Sequence, residues 1–148
     1  MNTNTLKLVA EFHQAFSAHA APSVDVSNPE LNKLRTELLS EELSELRFAL
    51  AGNNPVGVLD ALTDLQYVLD GAFLAFGLHH WKDAAFAEVH RSNMSKLGAD
   101  GKPIMRADGK ILKGPNYSPP DLAAVLALPL NGDDPAQLKI ELPSTGDV

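Results

Sequence analysis

The chain contains no cysteine, which excludes disulfides, a catalytic thiol and a thiolate zinc site. It has no apolar run of the roughly 18 residues that a transmembrane helix needs. Met1–Lys7 lacks a basic segment leading into an apolar one, so secretion is not expected and a cytoplasmic location is. Glu-x-x-His pairs are absent, since His90 follows Glu88 by two positions. That argues against a di-iron carboxylate bundle. No internal repeat of solenoid period occurs. Basic residues are in deficit, 12 against 19 acidic ones, for a net charge of −7. Bulk nucleic-acid binding is therefore not expected, nor is a membrane partner.

What is present fits one soluble domain: 148 residues, 45% of them apolar, enough for a real core. The expected division is a domain over 1–128 and a tail over 129–148, where Gly, Pro and Asp are frequent and periodicity fades. A first helix is predicted from about Thr5 to Ala20, with Leu8, Val9, Phe12, Ala15 and Phe16 as its apolar face. Asn28-Pro29 reads as a cap followed by proline at the first helical position. The second helix then runs to Ala51 and stops at Gly52-Asn53-Asn54. Pro55 opens a third helix that reaches Phe76, and a fourth covers Trp81 to about Lys96. Residues 103–113 read as a short hairpin around Asp108-Gly109, or as a loop. Asp121 starts a short helix through Leu126. His79-His80 beside Trp81 reads as a helix start or an interface rather than a catalytic pair.

The second helix puts carboxylates where leucines belong. On a wheel with Leu31 at zero, Leu34, Leu38 and Ala49 lie within about 60°. Glu42 and Glu45 fall at about +20° and −40° on that same face. Lys33, Thr36, Glu37, Ser40, Ser44 and Arg47 occupy the other one. The third helix adds Asp60 and Asp64, about 40° apart, with Tyr67, Gly71, Leu74 and Ala75 continuing their stripe. No Lys or Arg stands between Pro55 and Leu78 to relieve them. Buried carboxylates must be protonated, paired or metal-bound. Four of them balance two divalent ions, and oxygen ligands suit Mg2+, with Mn2+ possible. The structural alternatives are ion pairs from Glu42 and Glu45 to Arg35 or Arg47, and Asp60 as a helix cap. Beyond the acidic helices the charge reverses. Arg91, Lys96, Lys102, Arg106, Lys110 and Lys113 face only Asp100 and Asp108, as a polyanion site or an ordinary solvated surface would.

Glu42-Leu43-Ser44-Glu45 followed by Asp60-Ala61-Leu62-Thr63-Asp64 resembles the paired acidic helices of the all-α nucleoside triphosphate pyrophosphohydrolases. That superfamily includes MazG-type enzymes, dimeric dUTPases, dCTP pyrophosphatases and phosphoribosyl-ATP pyrophosphohydrolases. Ser92-Asn93-Met94-Ser95-Lys96 resembles its downstream Asn-x-x-Lys element. The stretch through Asp108-Gly109-Lys110 to Lys113-Gly114-Pro115-Asn116-Tyr117 is similar to a phosphoribosyl-ATP pyrophosphohydrolase-like subgroup. The second family glutamate falls at Ala61, and Asp60 stands one residue earlier.

The resemblance implies an all-α, four- to five-helix bundle completed by dimerisation, as a homodimer or a dimer of dimers. It implies two or more Mg2+ ions on Glu42, Glu45, Asp60 and Asp64, with Glu41 or Glu45 taking a proton from the attacking water. Asn93, Lys96, Lys110, Lys113 and Tyr117 would contact the nucleotide. Phe12 and Phe16 are expected in the core. The expected reaction converts a nucleoside triphosphate, dUTP or dCTP first, to the monophosphate and pyrophosphate. The alternatives are phosphoribosyl-ATP hydrolysis in histidine synthesis, and a non-catalytic nucleotide-binding or structural helical dimer.

Overall fold

A computed structural model describes residues 4–130, and they form helices α1 (Thr5–Ala15), α2 (Pro29–Ala51), α3 (Pro55–Ala75), α4 (Lys82–Met94) and α5 (Leu122–Leu126). A 3-10 turn at His79–Trp81 precedes α4, in keeping with the helix start read there. The all-α expectation holds. No helix among the described residues is long and apolar enough to cross a membrane. The expected tail lies, apart from Pro129 and Leu130, outside the described residues. Chain contacts group the described residues into two compact units, 4–79 and 80–130.

In the first unit each helix starts on an asparagine. The side chains of Asn4, Asn28 and Asn54 accept from backbone N–H groups of the first turns of α1, α2 and α3, donors that have no partner within a helix. Each helix also ends alike. Ala18 donates to the His13 carbonyl, Asn54 to Ala49 and Leu78 to Phe73, at 2.8–2.9 Å. These bonds follow Ser17, Asn53 and Gly77, all at positive φ, which is the Schellman closure. It ends α1 at Ala15, five residues short of the expected end.

Asn54 serves twice, closing α2 and capping α3, so the two helices turn back on one another through three residues. Their register is tight: a Cβ on Gly57 would lie 3.1 Å from that of Ala49. The helix α1 and the chain after it pack on the far end of α3. Leu6, Val9 and Ala10 surround Leu74, with Ala20 and Phe73 against them. Ala21 donates to the Leu74 carbonyl and Asp25 to that of Phe76. The buried face of α1 is Leu6, Val9, Ala10 and His13. Phe12 and Phe16 are exposed, not core as expected, because α1 turns a neighbouring stripe toward Leu74. Phe12 stacks on Phe16 with ring centroids 4.4 Å apart and meets Tyr67 edge-on at 5.7 Å.

In the second unit the hairpin is real but short. Met105 and Ile111 form an antiparallel bridge, and Arg106 donates to the Lys110 carbonyl and Leu112 to that of Ile104. The loop has three residues, Ala107–Gly109, with Gly109 at φ +83°, the bulged form rather than a two-residue turn. Asp121 caps α5 through the N–H of Ala124, and the Trp81 indole donates to the Leu128 carbonyl.

Gly77 has φ +66°, and a Cβ there would stand 2.1 Å from the Ser23 carbonyl oxygen. Gly101 has φ +74° with open space around it. Gly77→Ala is therefore expected to destabilise the protein by more than about 2 kcal/mol, and Gly101→Ala by only about 1 kcal/mol. Chemical denaturation of the two variants measures the difference; equal losses would remove the steric role of Ser23.

Candidate functional site

The α2–α3 register decides which side chains meet. Ala49 faces Gly57 at one end. At the other end Arg35 faces Gly71, where a Cβ would lie 3.0 Å from Arg35 Nη1. Seven residues in from each contact stand Glu42 on α2 and Asp64 on α3. They are opposite one another, two turns or about 10 Å from either end of the seam. The same count brings Glu45 opposite Ala61.

Electrostatics agree with this placement. Glu42 is half-buried, and its carboxyl is pushed up from the ordinary value, first by desolvation and then by Glu45, Asp64, Glu41 and Asp60 in that order. The structure thus brings all five acidic candidates into one field. Asp64 is half-buried, whereas Glu41, Glu45 and Asp60 are exposed. Asp60 acts least on Glu42, consistent with its place beside the seam. Ala61, at the position of the family glutamate, is sealed at 1% exposure.

Neither structural alternative for these acids is realised. Glu42 and Glu45 make no ion pair with Arg35 or Arg47 among the described residues; the α2 pair formed is Lys33–Glu37 at 3.8 Å. Asn54 caps α3, which leaves Asp60 inside the helix. Oxygen-only donors at this density suit a hard divalent cation. Among the described residues, no three acidic or histidine side chains converge to ligating distance. Like charges repel and their side chains spread, so the backbone supplies the proximity and a cation would have to supply the convergence.

Arg35 was read from the sequence only as a possible ion-pair partner. It is buried, and burial alone lowers its pKa. The signal for it was present, because Arg35 falls at about +40° on the wheel that placed Glu42 inward. Beside it His13 is also buried, with Nδ1 3.0 Å from the His19 carbonyl oxygen. A carbonyl only accepts, so Nδ1 carries the proton and Nε2 keeps its lone pair in the neutral ring. Desolvation, and next the Arg35 charge, lower the His13 pKa.

The remaining candidates belong to the second unit. Asn93 lies in the last turn of α4, and Lys96 Nζ donates to its Oδ1 at 2.6 Å. Lys110 and Lys113 are exposed on the hairpin, and Lys113 Nζ sits 4.2 Å from the centroid of the Tyr117 ring. Sequence reasoning missed what holds this segment. Arg91 binds both oxygens of Glu88 and the Pro119 carbonyl. Glu88 also accepts from the Asp121 N–H, and with Arg91 this holds its carboxyl down to about 2. Ser95 Oγ accepts from the Ser118 N–H, and Gly114 donates to the Lys96 carbonyl. These bonds tie residues 114–121 to α4, and with them Tyr117. An i,i+3 Glu-Arg pair was the visible clue.

The model of the phosphoribosyl-ATP pyrophosphohydrolase family matches residues 9–93. That span holds Arg35, the acidic candidates and Asn93; Lys96, Lys110, Lys113 and Tyr117 lie beyond it. An uncharacterized protein of Acanthamoeba polyphaga mimivirus is 38% identical to this chain over 76 residues, covering 48% of the chain and 30% of that protein. The chain thus spans less than a third of this relative's length.

The raised Glu42 carboxyl has a consequence for stability. A carboxyl whose pKa is higher in the folded state favours folding below its ordinary value, and that contribution is lost as pH rises through the raised one. At neutral pH, without metal, Glu42 is therefore a burden. Glu42→Gln is expected to stabilise the metal-free protein by a few tenths of a kcal/mol at pH 7. The gain should vanish by about pH 4. Thermal unfolding in chelator at both pH values checks this, and a loss of stability at pH 7 would contradict it.

Proposed function

The chain belongs to the phosphoribosyl-ATP pyrophosphohydrolase family, within the all-α MazG-like superfamily, and on that premise we propose that it hydrolyses a nucleoside triphosphate to the monophosphate and pyrophosphate. The observation that carries this reading is Glu42 opposite Asp64, with Glu41, Glu45 and Asp60 in the same field. Glu42, Glu45 and Asp64 would hold magnesium, with Asp60 beside them in place of the glutamate absent at Ala61. Magnesium bound there, two or more ions per site, would supply charge neutralisation for the polyphosphate and a lowered pKa for the attacking water. That water adds to the α-phosphorus, the bond from it to the bridging oxygen breaks, and pyrophosphate leaves. Glu41 or Glu45, both exposed to solvent, takes the water's proton. Asn93, Lys96, Lys110, Lys113 and Tyr117 carry sugar and phosphate contacts by the family resemblance.

The first substrate class is a deoxynucleotide such as dUTP or dCTP, and the role is sanitation of the nucleotide pool in the cytoplasm. The family match favours a second reading, phosphoribosyl-ATP, on which the same chemistry would act. The proposal includes a homodimer or a dimer of dimers, and a domain over 1–128. Support for the dimer comes from the end of the α2–α3 hairpin, where Phe48, Val56 and Leu59 are 79%, 75% and 68% exposed. Apolar exposure on that scale is characteristic of an interface.

A pyrophosphate-release panel of deoxynucleoside triphosphates, ribonucleoside triphosphates and phosphoribosyl-ATP, with Mg2+ and with Mn2+, tests the reading. Turnover is expected on at least one substrate, and Glu42→Gln should fold and lose about a hundredfold or more of it. Magnesium should raise the melting temperature of the wild type and not of the variant. No pyrophosphate across the panel would sink the enzymatic reading and leave the non-catalytic dimer. In solution the chain should run at twice its mass or a higher multiple. Phe48→Asp should reduce it to a single chain; a monomeric wild type would refute the dimer.

A further inference from the structure

Arg35 is 8% exposed on the face of α2 that carries Glu42. No hydrogen bond or ion pair to any described residue engages its guanidinium, and its Nε is sealed from solvent without a partner. An arginine buried in this way is costly unless something anionic meets it. The packing around it is purposeful. The absence of a side chain at Gly71 lets Arg35 Nη1 and His13 Nε2 approach α3 to 3.0 and 3.2 Å from where a Cβ would stand. His13 is held by its other nitrogen on the His19 carbonyl. Among the described residues no acidic side chain pairs with Arg35. The charges acting on His13 are those of Arg35 and His19, and none is resolved on Arg35.

We propose that the Arg35 guanidinium is an anion-binding position that takes a phosphoryl group of the substrate, two helical turns along the seam from Glu42 and Asp64; the neutral His13 ring packs beside it. The guanidinium fork suits phosphate and carboxylate alike; choosing phosphate rests on the nucleotide reading of the acidic site. The phosphoryl group has two possible sources. One is the terminal phosphate of the triphosphate chain, and the other is a second phosphate on the far side of the nucleotide, as phosphoribosyl-ATP carries.

The test is a titration of the intact chain in chelator, followed by NMR at the Arg35 Nε–H and the His13 ring. Because no metal and no turnover are involved, it can succeed where the hydrolysis panel fails, and the reverse. Inorganic phosphate and pyrophosphate are expected to move both signals saturably, and acetate at equal ionic strength is not. Arg35→Met should weaken phosphate binding by at least about tenfold, whereas Glu42→Gln should not weaken it. If Arg35→Met fails to fold, the wild-type signals decide. Signals that ignore phosphate and pyrophosphate, or that follow acetate equally, overturn the assignment. With magnesium added, a non-hydrolysable deoxynucleoside triphosphate and phosphoribosyl-AMP separate the sources. Movement with the first assigns the terminal phosphate and with the second the far one; movement with neither overturns the proposal.

Discussion

The close approach of α2 and α3 is the constraint on which the site depends. Ala49 lies almost against the bare backbone of Gly57, and Arg35 against that of Gly71. These two contacts, at opposite ends of the hairpin, leave the helices little freedom to slide. A slip of one residue turns a helix by about 100° relative to its partner, enough to part Glu42 from Asp64. Small residues along the seam make this approach possible, and Ala61 is one of them. A carboxylate at that sealed position would face Glu45 across the seam. Asp60, one residue over, keeps its charge beside the seam and exposed. The departure from the family pattern therefore moves one charge outward by a helical step rather than deleting it.

Much of this was legible because it is local. The Asn28-Pro29 start, the Gly52-Asn53-Asn54 turn, the Pro55 start and the Asp121 start depend on residues within a few positions, and α2, α3 and α5 fell close to expectation. The carboxylate stripes were legible because helical periodicity alone puts Glu42 and Glu45 on one face and Asp60 with Asp64 on another. Which stripe of α1 is buried was not. Two adjacent stripes were apolar enough, and the choice depends on how Leu74 meets α1, a contact between residues some 65 positions apart. The wheel favoured the bulkier side chains; the fold kept Val9 but buried Leu6, Ala10 and His13 instead of Phe12 and Phe16.

Arg35 escaped for a different reason. An arginine near two glutamates invites an ion pair, but Arg35 and Glu42 are two full turns apart, about 10 Å along the axis. At that distance they share a face without sharing a contact. Opposite charges on one seam then do not cancel one another locally. Each end remains a separate electrostatic demand, cationic for the carboxylates and anionic for the arginine. Tyr67 lies on α3 between them, with Phe12 against its edge.

Such a seam would be a poor foundation if the helices relied on it to fold. They do not. The Schellman closures, the asparagine caps and the Leu74 cluster satisfy backbone and core without using Glu42, Asp64 or Arg35. The stabilising contacts concentrate at the ends of the helices and on the α1 side. The unfavourable charges concentrate along the α2–α3 seam, where repulsion among five carboxylates is opposed by backbone packing of Ala49 on Gly57. Local consistency elsewhere is what lets one face violate it. In this hairpin the violated face is the one whose charges call for ligands of both signs.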